Sequence, residues 1–233
     1  MIYIQVVTQT NDCMRKEAES RQIKEIKKIY NSVKEDIQSR LDDFSRLWEN
    51  GDEKDIFAEL VFCILTPQSK AKNCWNAVKK IVSKNMLLHG DKKQIIKELH
   101  GVRFRYKKAE YIIKARKHFL MNNKLSVRSK IQQFKNPYLT REWLVKNIAG
   151  FGYKEASHFL RNIGMGEDFA ILDRHILKNL RRLDVIRCVP KSLSRNIYLD
   201  IEKRMRGFAI GIGIPLSHLD LLLWYRETGE IFK

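Results

Sequence analysis

Between Arg15 and Trp48 apolar residues return every three or four positions, at Ile23, Ile26, Tyr30, Val33, Ile37, Leu41, Phe44 and Leu47. That spacing lines one face of an α-helix and excludes a strand, whose side chains alternate every second residue. Little elsewhere interrupts helix, because the 233 residues include only 11 Gly and 4 Pro. After the turn residues Asn50-Gly51-Asp52, residues 56–64 form an apolar segment suited to a buried helix that ends before Pro67. Further helices are expected over 71–83, 92–99, 106–121, 126–134, 140–148, 153–162, 173–180, 192–211 and 215–227. Alternation typical of a strand occurs only at 2–7, and weakly. The fold class is all-α. The first helix also approximates a heptad, as a coiled-coil arm would, but its pattern dissolves after Trp48 and favours packing on its own domain. Two helical subdomains flanking one cleft are expected, with a seam near Pro137. Residues 1–15 read as an N-terminal leader, open to disorder, outside the helical body.

Composition narrows the function classes. Hydrophobic residues are 44% of the chain, enough for a core. No apolar run approaches the ~18 residues of a membrane span, and the first residues lack the basic flank and apolar stretch of a secretion signal. The chain reads as soluble and intracellular. Its four cysteines, Cys13, Cys63, Cys74 and Cys188, form no CxxC pair, so neither a disulfide framework nor a four-cysteine metal site is suggested. Lys plus Arg number 45 against 27 Asp plus Glu, a net charge of +18. Such a surplus favours polyanions, nucleic acid above all, although a merely lysine-rich surface gives the same number.

A motif separates the two. Leu144 and Ile148 close one helix, Gly150-Phe151-Gly152 makes a tight turn, and Ala156, Phe159, Leu160 and Ile163 give the next helix a packing face. This is a helix–hairpin–helix pattern. Its glycines let backbone N–H groups at Tyr153 and the start of the second helix approach a phosphate, with the helix dipole assisting. Phosphate contacts of that kind bind DNA without reading sequence. An ordinary helical hairpin with a glycine turn is the plain alternative.

Lys154 sharpens the reading. It falls in the first turn of the second helix, where the helix field disfavours a cation and, with burial, favours a neutral nucleophilic amine. Downstream, Phe169-Ala170-Ile171-Leu172 lead to Asp173, which is placed to cap the next helix. Taken singly, these are a surface lysine and an N-cap.

In this order, however, residues 150–175 resemble the signature of the helix–hairpin–helix DNA glycosylases. The words Lys154-Glu-Ala-Ser-His-Phe-Leu-Arg-Asn162, Ala170-Ile-Leu-Asp-Arg-His175 and Leu219-Asp-Leu-Leu-Leu-Trp-Tyr225 resemble the compact prokaryotic 8-oxoguanine DNA glycosylases of the second Ogg family. The likeness runs from about Lys16 to Lys233 and takes in residues 62–66, 102–104 and 108–112. It implies a bifunctional enzyme of base-excision repair. Lys154 would attack C1′ of the damaged nucleoside, expel the base as a Schiff base forms, and nick the strand by β-elimination. Asp173 would stabilise charge developing on the sugar. Trp224 would stack on the flipped purine, and Lys233, through its terminal carboxylate, would recognise it. The implied partner is double-stranded DNA containing 8-oxoguanine, bound by a monomer without a membrane, in a prokaryotic cytoplasm near the nucleoid.

Other positions follow from the same resemblance. Gln68, in the loop after the apolar helix, is the candidate wedge into the vacated stack. Arg103 and Phe104 are candidates for contacting the estranged base, against a surface turn and a core aromatic. Asp220 either frames the base pocket or is solvated on its helix. Cys63 and Cys74 read as buried small hydrophobes. No cofactor and no catalytic metal is expected, since the histidines show no ligand spacing; a structural monovalent cation at the hairpin is left open. A glycosylase for another oxidised base and a non-catalytic DNA-binding module remain the competing functions.

Overall fold

The computed structural model describes residues 2–233, with side chains from Arg21 onward. In chain order the elements are α1 (Ile2–Asn50), α2 (Glu53–Leu65), α3 (Ala71–Ser83), α4 (Met86–His89), α5 (Lys92–Glu98), α6 (Arg105–Phe119), β1 (Leu120–Met121), β2 (Lys124–Leu125), α7 (Val127–Ile131), α8 (Pro137–Asn147), α9 (Tyr153–Asn162), α10 (Arg174–Arg182), α11 (Arg195–Ile212) and α12 (Leu216–Thr228). The only sheet among the described residues is the hairpin β1–β2, pairing Leu120 with Leu125 and Met121 with Lys124. The all-α expectation therefore holds, and α3 and α9 have the expected bounds. The helix expected over 106–121 stops at Phe119 instead, because Asn122 and Asn123 both take positive φ and turn the chain into the β-hairpin. The alternation at residues 2–7 lies within the span of α1, and the leader at 1–15 lies outside the residues whose side chains are described.

The chain divides into two units, one built from residues 1–40 and 172–232, the other from 41–171 with Lys233. The boundaries are thus not near Pro137, which opens α8 inside the second unit. A unit assembled from both ends of a chain leaves no compositional seam for a linear reading to find.

In the second unit the centre is α2. Asp52 caps it by accepting the Lys54 and Asp55 N–H groups at 2.7 and 2.8 Å, and the Asp55 carboxylate returns the bond to the Asp52 N–H at 3.1 Å. This capping box starts the helix at Glu53, before the first apolar residue. Ile56 to Leu65 are then buried all round, with α3, α6, α7 and α9 packed against them. A helix apolar on every side is stable only in such a position. Among these buried residues are Glu59 and the free cysteine Cys63; Cys74 on α3 is likewise buried, and both thiols are pushed up by burial, Cys74 to about 11. These two cysteines are small core residues, as their surroundings in the sequence imply.

In the first unit α12 packs on α10 and α11, and Ile26, Val33 and Ile37 bury the inner stripe of α1. Arg226 pairs with Glu25 at 3.2 Å, and the Tyr30 hydroxyl meets His218 Nδ1 at 3.1 Å. Glu227 gathers Lys178 at 2.7 Å and Arg182 at 2.8 Å, so α12 and α10 are tied by charge as well as by their apolar faces. No single described helix is long and apolar enough to cross a membrane.

Candidate active site

The hairpin at residues 148–152 is shaped by one glycine more than by the other. Gly150 has φ +87°, and a Cβ there would lie 2.5 Å from the Tyr111 ring, so both backbone and space demand glycine. Gly152 is extended, at φ −107° and ψ −170°, a conformation that any residue adopts. Phe151 is buried and its N–H closes the turn on the Ile148 carbonyl at 3.1 Å. The Glu155 carboxylate accepts the Gly152 N–H at 3.0 Å, while the Tyr153 hydroxyl donates to Glu142 at 2.6 Å and anchors α9 to α8. The N–H groups in the first turn of α9 have no carbonyl one turn behind them, which leaves donors facing outward.

Lys154 belongs to that turn. Its side chain is 20% exposed, so it is not a freely solvated lysine, and Nζ lies 3.4 Å from Thr66 Oγ1 and 3.8 Å from Glu155 Oε1. Thr66 ends α2 and is itself buried. An amine held by one weak hydroxyl contact and one distant carboxylate is positioned without being committed to a strong ion pair.

Asp173, in the first unit, caps α10. Its Oδ1 accepts both the His175 N–H at 2.8 Å and the Ile176 N–H at 2.9 Å. Both bonds fall on one oxygen. The second oxygen of a half-buried carboxylate thereby stays open, so capping does not exhaust this residue. Trp224 is half-buried on α12, its ring 6.5 Å from that of His175 in an edge-on arrangement. Asp220, one turn earlier, is 2% exposed, which removes the solvated alternative for it.

In the second unit the structure joins the two loops carrying the lesser candidates. Gln68 is exposed, with φ +55°, at the loop tip after α2. Phe104 is 54% exposed with φ +58° and the Arg103 guanidinium lies 5.3 Å from its ring centre, so Phe104 is not a core aromatic. Ser69 Oγ receives the Arg103 N–H at 3.0 Å and the Lys108 ammonium at 3.1 Å, and Lys108 also donates to the Leu65 and Pro67 carbonyls at 2.7 Å each. Lys108 was not among the sequence candidates. It is an unremarkable lysine until the fold buries it under three acceptors.

Burial, aided by the Lys154 and Arg103 charges, lowers the Lys108 ammonium to about 8 from its usual 10.5. Between these two values the unfolded chain binds more protons, so this group makes stability rise with pH there and exerts its full penalty below about 8. Lys108→Met is expected to flatten the difference in urea-unfolding free energy between pH 7 and pH 10. The stranded carbonyls should cost about 1–3 kcal/mol, seen in full at pH 10 and offset at pH 7 by relief of the ammonium's burial penalty. An unchanged pH slope would show that the ammonium is not the titrating group.

Lys233 lies with the second unit, where its ammonium pairs with Glu59 and sits 3.7 Å from the centre of the Trp75 ring. Neither Glu59 nor Trp75 was singled out in the sequence, although a glutamate inside the apolar run at 56–65 was a visible signal. Among the described residues no group of three or more His, Cys, Asp or Glu side chains is placed to hold a metal.

The model of the 8-oxoguanine DNA glycosylase family, of Ogg helix–hairpin–helix type, matches residues 37–214. An 8-oxoguanine DNA glycosylase/AP lyase of Fusobacterium nucleatum is 45% identical over 209 residues, covering 90% of this chain and 96% of that protein. Its counterpart in Methanocaldococcus jannaschii is 40% identical over 213 residues, covering 91% and 99%. The crystal structure of the Thermotoga maritima 8-oxoguanine DNA glycosylase superposes with a TM-score of 0.82 at 36% identity, over 92% of this chain and all (100%) of that one. That of the M. jannaschii glycosylase/lyase in complex with a 15mer DNA containing 8-oxoguanine gives 0.83 at 38% identity, over 91% and 100%. With the hairpin, the half-buried lysine and the half-used aspartate in the matched region, this chain belongs to the 8-oxoguanine DNA glycosylase family.

Proposed function

We propose that this protein is a bifunctional 8-oxoguanine DNA glycosylase and abasic-site lyase of base-excision repair, acting on double-stranded DNA as a monomer in the prokaryotic cytoplasm. The observation that carries the reading is Lys154 in the first turn of α9, next to the hairpin and without a strong ion pair. Such an amine attacks C1′ as the bond from C1′ to the base breaks, and the base leaves with a proton. Ring opening gives a Schiff base between Nζ and C1′. Loss of a C2′ proton then breaks the C3′–O bond and nicks the strand, and water releases the enzyme. The Asp173 carboxylate stabilises positive charge on the sugar through the oxygen it does not spend on capping.

A base inside a duplex is out of reach of this chemistry, so it is flipped out. The hairpin, turned by Gly150, Phe151 and Gly152, holds the backbone through the N–H groups of Tyr153 and the rest of the first turn of α9. Gln68 fills the gap in the stack, supported by its exposure and its strained backbone. Arg103 and Phe104 meet the unpaired partner base. Trp224 stacks on the lesion, and Lys233 distinguishes it from guanine.

Borohydride trapping on duplexes bearing 8-oxoguanine, thymine glycol or a preformed abasic site tests the whole reading. Covalent adducts are expected on the first and third substrates only. Preference for thymine glycol would reassign the lesion, an adduct on the abasic duplex alone would leave only the lyase, and none at all would leave a DNA-binding module.

A further inference from the structure

Lys233 is gripped through its side chain more firmly than a contact made by its main chain would require. The ammonium pairs with Glu59, over the Trp75 ring at 3.7 Å and the Phe62 ring at 6.0 Å, and the two charged side chains are 13% and 3% exposed. Glu59 is braced in turn. Its other oxygen accepts the Asn162 amide at 2.9 Å, and the Asn162 carbonyl takes Arg161 Nη2 at 3.1 Å and Nε at 3.3 Å. A buried ion pair is weak evidence of stability, because well-packed apolar residues of similar volume often serve as well. Its placement in the apolar centre of α2 therefore points to a positional role.

His158 gives a second, independent observation. It stands one turn after Lys154 on α9, is 6% exposed, and neither ring nitrogen has a partner of ordinary hydrogen-bond geometry. The Phe62 ring meets it edge-on at 5.5 Å. Burial first, then the Arg161 and Lys154 charges and that of the Lys233 ammonium, push it well below its usual range, against a pull from the Lys233 main chain. The imidazole is therefore neutral, with one donor and one acceptor, and it adjoins the Lys233 main chain. Buried polar groups without partners are costly and rare, so each calls for a structural or functional reason.

We propose that Glu59, braced by Asn162 and floored by Trp75, is a positioning residue for lesion recognition: it holds the Lys233 side chain so that the Lys233 main chain stays beside His158, one turn from Lys154, where the flipped purine is read. This rests on the base-recognition role of Lys233 given above. Glu59 touches neither the base nor the sugar. It acts through Lys233, and the charge balance of the pair is secondary to where it places the backbone.

Single-turnover excision of 8-oxoguanine and cleavage at a preformed abasic site are to be compared in the full chain. The variants are Glu59→Gln, Lys233→Met, the two combined, a deletion of Lys233, and Glu59→Gln in the deletion background. Breaking a buried pair costs several kcal/mol, of which about 1.4 suffices for tenfold. Glu59→Gln and Lys233→Met are each expected to lower the ratio of excision to abasic cleavage at least ~10-fold. The combined variant should be no worse than the worse single one, because both remove one grip. Glu59→Gln should add nothing once Lys233 is gone. A fall on both substrates alike, tracking a lower Tm, would make the pair structural and overturn the proposal, as would an undiminished effect of Glu59→Gln in the deletion background. If deleting Lys233 impairs excision while Glu59→Gln spares it, the positioning proposal alone falls. If deleting Lys233 spares excision, the base-recognition role falls and takes the proposal with it.

Discussion

Lys154→Gln is expected to abolish the borohydride-stable adduct and lower single-turnover base excision at least ~10⁴-fold, as loss of a covalent nucleophile does, while duplex binding persists. The two effects separate because of where the side chain sits. The hairpin backbone is shaped by Gly150, by the Phe151 turn bond and by the Tyr153–Glu142 anchor, none of which involves the Lys154 amine. Glutamine is also a good helix former, so the first turn of α9 is kept. What it lacks is a lone pair basic enough to form a Schiff base. An adduct at wild-type yield would remove Lys154 from the chemistry. Equal loss of binding and of trapping would make it a phosphate-positioning cation instead. Filter binding and trapping on the same abasic duplex measure both quantities.

How much of this was legible without coordinates depends on how local the cause is. The bounds of α9 follow from one amphipathic face behind a glycine turn, and α3 likewise needs only its own periodicity. The start of α2 was read three residues late, since the apolar run begins at Ile56 whereas the Asp52–Asp55 capping box begins the helix at Glu53. That box was visible in the sequence. The turn of helix α4 and the β1–β2 hairpin rest on positive φ at Asn85, Asn122 and Asn123, choices too short to leave a period. The division into units was not legible at all, because residues 1–40 and 172–232 meet only in three dimensions.

The site divides the same way. Lys154 and Asp173 stand out through the order of neighbouring words in the chain, and Gly150 through its turn. Lys108, Glu59 and Asn162 owe their roles to partners 41, 174 and 103 positions away in sequence. No window of the sequence brings such pairs together. Asp220 shows the converse: a pocket residue and a solvated one read alike in the sequence, and only packing, which leaves it 2% exposed, decides between the two.

Asp173→Asn is expected to lower single-turnover excision at least ~100-fold while changing stability by less than about 1 kcal/mol. The capping role of this carboxylate and its proposed catalytic one divide between its oxygens. Oδ1 takes the His175 and Ile176 N–H groups, and an asparagine side-chain oxygen accepts the same two bonds with nearly equal capping strength. The loss of negative charge at the N-terminus of α10 weakens the dipole interaction by only about 0.3–1 kcal/mol. What asparagine does not restore is the full charge on the second oxygen, and positive charge on the opening sugar is stabilised by charge. Asp173→Ala provides the contrast, for it removes cap and charge together and should cost a further 0.5–2 kcal/mol or so in stability at a similar loss of rate. Thermal unfolding and single-turnover kinetics on the three proteins separate the contributions. If the asparagine variant excises 8-oxoguanine at the wild-type rate per folded molecule and only the alanine variant is impaired, in step with its Tm, then Asp173 is a helix cap and the catalytic charge must be sought elsewhere.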